Sequence, residues 1–175
     1  MTLAQSLAGS PAPPDILASQ TLLSIPFIGF DGQTRIGELV VHRDLASEVS
    51  EIFSQILLAR FPIEQMIPVV AFAWSDDASM SAGNCSAFNF RVKVGKTQLS
   101  AHATGRAIDI NPRQNPYING DLVLPGGTLY NPGAQGTLTP DCAAVQVFEK
   151  FGWTWGGRWT SIRDYHHFEK PHFSP

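Results

Sequence analysis

The stretch Ser100-Ala101-His102-Ala103-Thr104-Gly105-Arg106-Ala107-Ile108-Asp109-Ile110 sets a histidine in a loop, a glycine at a turn and an aspartate inside a short apolar strand. Asp109 lies between Ile108 and Ile110, so in extended backbone it points away from the face those two bury. A carboxylate placed there is costly unless it is paired or bound to a cation. A second concentration of chemistry is Arg163-Asp164-Tyr165-His166-His167-Phe168-Glu169. Read as a strand, it puts Tyr165, His167 and Glu169 on one face and His166 and Phe168 on the other. One histidine of the pair then enters a site while its neighbour faces away. Two histidines and one carboxylate suit a zinc site with an open fourth position for water, whose pKa the metal lowers. Asp164, three residues before His167, is the natural base beside that water. A single histidine is more often packed or exposed than a ligand, so spacing by itself leaves the structural reading open.

Working outward, Asp31-Gly32 marks a turn, and Glu38 to His42 alternates as a short strand. Asp44 is expected to cap a helix over about residues 45–60, because Leu45, Val49, Ile52, Phe53, Ile56 and Leu57 recur at helical spacing. Pro62 stops it. Val69 to Trp74 reads as a buried strand, followed by a polar loop from Ser75 to Asn84. Thr139-Pro140-Asp141 reads as a helix start, with Ala144, Val145, Val147, Phe148 and Phe151 on the buried face and Gly152 at the end. Trp153 to Phe168 reads as strands joined by a Gly156-Gly157 turn. Strands, long loops and two good helices without regular alternation predict an α+β fold, a small antiparallel sheet flanked by helices. Residues 1–24 are expected to form a flexible lead-in to a domain over 25–175. The alternative for that lead-in is an arm packed on the domain, since Ile16, Leu22 and Leu23 are apolar.

The 175 residues, with 43% hydrophobic and 15% charged, suit one globular domain. A net charge of −3 with no basic block argues against a nucleic-acid partner. No apolar run is long enough to span a bilayer, and Met1 to Gly9 lacks the features of a signal peptide. Cys85 and Cys142 are too few for a cysteine-only zinc site, and are either bridged or free. A monomer is expected.

On these residues the chain resembles the bacterial D-alanyl-D-alanine carboxypeptidase family of zinc peptidases, which also includes D-Ala-D-Ala dipeptidases and phage L-alanyl-D-glutamate endopeptidases. The signature Ser-x-His-x-x-Gly-x-Ala-x-Asp is complete from Ser100 to Asp109. The second signature, an acid followed two residues later by His-Phe, is matched by Asp164, His167 and Phe168. Gly152 to Trp159 and the Asn84 to Arg91 segment, preceded by Asp76 to Met80, are similar as well. The resemblance implies a hedgehog/DD-peptidase-like fold, His102, Asp109 and His167 as zinc ligands, and Asp164 as general base. It implies Arg91 as the cation that stabilises the oxyanion, and peptidoglycan stem peptides or other D-Ala-containing peptides as substrates. Ser100, Ser86 and His166 are assigned to substrate binding. Ser100 is equally readable as a turn cap, and His166 either lines the cleft or stacks at the surface. His42 and His172 are expected to be structural or exposed. Arg158 stands where relatives carry an acid, so it either alters substrate preference or sits outside the cleft. Carboxypeptidase, dipeptidase and endopeptidase share these motifs, and a non-catalytic zinc-bearing binding module is the alternative of a different class.

Overall fold

Residues 1–171 are described by a computed structural model, and His172 lies outside the described residues. In chain order the elements are α1 (Leu3–Ser6), α2 (Pro14–Ala18), β1 (Gln20–Ile28), β2 (Thr34–His42), α3 (Ala46–Leu58), β3 (Gln65–Met66), α4 (Asp76–Ser81), β4 (Asn84–Cys85), β5 (Ala107–Asp109), β6 (Tyr117–Asn119), β7 (Leu122–Leu124), α5 (Ala143–Lys150), β8 (Thr154–Trp155), β9 (Arg163–Asp164) and β10 (His167–Glu169). The α+β class is as expected, but the strands form four small sheets among the described residues rather than one. β1 and β2 make a long antiparallel hairpin, with Gln20 opposite His42. β10 lies antiparallel between β5 and β8, and β6 antiparallel between β7 and β9. The β3–β4 pair is parallel, a departure from the all-antiparallel expectation.

α3 forms because Val49, Ile52, Phe53 and Ile56 repeat at helical spacing, and all four are buried. α5 contributes Ala144, Val145 and Phe148 to the same core. Phe148 stacks on Phe168 at 4.1 Å and meets Phe53 edge-on at 6.1 Å, which ties both helices to β10. Ile108 and Ile110 are fully buried in that core. The backbone carrying Asp109 is therefore clamped from behind, and its carboxylate is directed to the other side of the strand.

Several local expectations are corrected. Val69–Phe72 is a 3-10 turn, not a strand, because it is entered from Pro68 and closed by Ala73 and Trp74, both at positive φ. The 75–84 stretch is not a loop: Ser75 accepts from the Ala78 N–H and caps α4. Asp44 does not cap α3, which is entered through a 3-10 turn over Arg43–Leu45. α5 begins at Ala143 rather than at Thr139, because Cys142 is still extended, with ψ at 148°. The boundary expected at residue 24 falls inside β1, and the residues before it are placed in two short helices. Ala12 is buried with Val40 and Phe88, and Leu7, Ile16, Leu17, Leu22 and Trp74 pack around them. Cys85 and Cys142 are both free; burial pushes the Cys85 thiol up to about 12.

Candidate metal centre

Two strands and one capped turn bring the site together. In the β5–β10 ladder Asp109 lies directly opposite His167, a cross-strand pair that places their side chains side by side. His102 arrives from a 3-10 turn, Ala101–Thr104, in which the Ser100 hydroxyl accepts from the His102 N–H and caps the turn. The turn closes on Gly105 at φ +67°, where a Cβ would come within 2.6 Å of the His42 backbone nitrogen. Only glycine fits that approach, so the tight return from His102 to β5 depends on it.

The three donor atoms converge. His102 Nε2 is 3.1 Å from Asp109 Oδ2, His167 Nδ1 is 3.0 Å from Asp109 Oδ1, and the two ring nitrogens are 3.1 Å apart. All three side chains are buried. Ligands at tetrahedral zinc, about 2.0–2.1 Å from the ion, are roughly 3.3 Å from one another, so these atoms need move only slightly to share one cation. The opposite ring nitrogens are engaged elsewhere. His102 Nδ1 donates to the Ala87 carbonyl, and His167 Nε2 lies 3.2 Å from Glu169 Oε2. That arrangement fixes both rings with the ligating nitrogen facing Asp109. The donor set therefore fits a divalent metal.

The electrostatics agree with a site built for positive charge. Burial works against ionising Asp109, yet His102 and His166 beside it hold the carboxyl well below its usual range. Burial also disfavours charge on His167, but hydrogen bonds with Asp109 and Glu169 outweigh it and push the imidazole up to about 10. Glu169 is lowered, chiefly by its hydrogen bond with His167.

The cluster opens onto a cleft of about 480 Å³ whose lining includes Arg91, Ser100, Asp164, His166, His167 and Glu169. Asp164 sits on β9 opposite Tyr117, next to Gly156, where a Cβ would come within 2.5 Å of the Asp164 carbonyl oxygen. One carboxylate oxygen of Asp164 is buried 3.0 Å from His166 Nε2, while His166 Nδ1 donates to the Asn115 carbonyl at 2.7 Å. Arg91 is held by Asp76 of α4, with Nε to Oδ1 at 2.9 Å, and its carbonyl accepts from the Ser100 N–H at 3.0 Å. Ser86 is elsewhere: its backbone pairs with Asp109, and it is not among the residues lining the cleft. Arg158 lies outside the cleft, bound to Glu149 through two nitrogens. His42 lies 3.5 Å from the Asp44 carboxylate, and its Nδ1 accepts from the Asp44 N–H.

Sequence reasoning gave no role to Glu169, although the alternation of the last strand already put it on the face of His167. Asp76 was missed because α4 was read as loop. The Ala87 carbonyl carries no signal in side-chain identity. Against known proteins, a family model described as D-alanyl-D-alanine carboxypeptidase matches residues 94–170. No curated protein and no solved structure matches the chain. The matched segment contains His102, Asp109, Asp164 and His167, and over these residues the chain is similar to that family.

Proposed function

We propose that the chain is a zinc-dependent peptidase that hydrolyses peptidoglycan stem peptides, acting as a D-Ala-D-Ala carboxypeptidase on the hedgehog/DD-peptidase-like fold. The observation that carries this reading is the convergence of His102, Asp109 and His167, with His167 reaching a cleft also lined by Asp164 and Arg91. Two imidazoles and one carboxylate suit zinc, and three protein ligands leave a position for water or substrate, unlike a four-ligand structural site. The metal, when bound, lowers the pKa of a water and polarises the scissile carbonyl.

The protein groups supply the rest. Asp164 receives the proton of the attacking water and returns it to the leaving amine. His166, hydrogen-bonded to the Asn115 carbonyl, orients the Asp164 carboxylate toward the cluster. Arg91, steadied by Asp76, holds positive charge where the oxyanion develops. Ser100 offers its hydroxyl at the cleft wall to the substrate backbone.

The L-alanyl-D-glutamate endopeptidase and D-Ala-D-Ala dipeptidase readings use these same residues, and product analysis separates them. A non-catalytic zinc-bearing module would bind wall fragments without cutting them. Two variants test the assignment. Asp164→Ala should retain one metal per chain and lose about 10²–10⁴-fold in turnover, whereas His102→Ala should lose both metal and activity. Normal turnover in Asp164→Ala would remove it as the base.

A further inference from the structure

Between Arg91 and Ser100 the chain makes a small exposed hairpin, with Val92 bridged to Leu99 and the Lys93 N–H donating to the Gln98 carbonyl at 2.9 Å. Both ends of this hairpin are therefore anchored at the metal site: one on Arg91, the other on the cap of the His102 turn. Its residues Lys93 to Lys96 line the cleft.

The lining carries three acids against Arg91, Lys93 and Lys96, but the two lysines take no part in the close pairs. Its three acids are already engaged: Asp76 with Arg91, Asp164 with His166, and Glu169 with His167. No ion pair joins Lys93 or Lys96 to an acid among the described residues. The rest of the lining includes Tyr117, Leu124, Trp159 and Ile162, an apolar surface that accepts small aliphatic side chains. Apolar wall and unmatched cations together describe a peptide end: a short hydrophobic side chain beside a free carboxylate.

We propose that Lys93 and Lys96 recognise the C-terminal α-carboxylate of the peptide substrate and so make the cleft selective for chain ends. This rests on the peptidase reading and deepens it, because it selects exopeptidase over endopeptidase action. An exposed charge pair is worth up to about fivefold in binding, and two lysines acting together give about tenfold. The attraction is screened by salt.

The test uses N-acetyl-D-Ala-D-Ala and its C-terminal amide, titrated calorimetrically at low ionic strength into zinc-loaded protein carrying Asp164→Ala, so that binding is read without turnover. The free acid should bind about tenfold more tightly than the amide. Adding K93Q and K96Q should bring the two within about twofold while leaving amide binding unchanged. Both lysines are exposed on a hairpin, so the double variant should fold normally. Equal binding of acid and amide, binding of neither, or a preference that survives K93Q/K96Q overturns the assignment, the last by giving the carboxylate to Arg91. Hydrolysis by the protein with Asp164 intact separates the two readings. A lysine-dependent preference without hydrolysis keeps the carboxylate site and sinks the peptidase, and hydrolysis without preference does the reverse.

Discussion

Asp109 shows how a single residue becomes a site. Its neighbours Ile108 and Ile110 are committed to the core, so its side chain has one direction available, and the ladder places His167 in that direction. Asp109 was legible in the sequence because a buried strand tolerates a carboxylate only when it is paired, whereas His102, on a turn, and His167 were legible through the motifs that carry them. Glu169 was legible as a face but not as a function, since hydrogen bonding to the far side of a ligand depends on which ring nitrogen faces the cluster. With Nε2 at 3.2 Å from Glu169, the His167 atom that faces the cluster is Nδ1. Glu169→Gln should weaken metal affinity by about 10–100-fold, measured by competition with a chromophoric chelator; unchanged affinity would remove Glu169 from the site. The charge of His167 gives a second expectation. With its pKa pushed up to about 10, the imidazole holds a proton at neutral pH that must leave before Nδ1 can bind a metal. Metal loading at pH 7 to 8 should therefore release a proton into weakly buffered solution, and affinity should rise with pH; loading without proton release would contradict that electrostatic picture.

At the scale of elements, the long periodic helix α3 and the strand β5 were readable, whereas the segments with mixed signals were not. Val69 to Trp74 is apolar enough for a strand, but Pro68 and the positive φ of Ala73 and Trp74 coil it instead. Ser75-Asp76-Asp77 carried a capping signal, with a hydroxyl for the exposed N–H groups and acids at the positive helix end. Its cost to the functional reading was Asp76, which holds Arg91. The Thr139-Pro140-Asp141 signal was real as a turn but ran three residues ahead of α5. The element on which the site most depends is the turn closed by Gly105. Gly105→Ala must accept both a left-handed backbone and a contact with the backbone of His42. It should lower stability by about 2 kcal/mol or more in denaturant unfolding and weaken metal binding with it. A variant as stable as the parent would show that the turn has room that this geometry denies.

For the whole molecule, one core gathers α3, α5 and the backs of β5 and β10, and the cleft opens on the opposite face of those strands. The N-terminal helices pack on Val40, Phe88 and Trp74 and so support the segment that leads into Arg91. No helix among the described residues is long and apolar enough to cross a membrane. In the function proposed above, this cleft, with a metal held by His102, Asp109 and His167, cuts D-amino-acid-containing wall peptides. Mass spectrometry of peptidoglycan stem peptides incubated with zinc-loaded protein, with and without chelator, tests it most directly. A single terminal D-Ala should be lost, and that loss should be abolished by chelation and restored by zinc. Intact stem peptides under both conditions would contradict it, and a new D-Glu amino terminus would keep the peptidase but move the cut to an internal bond.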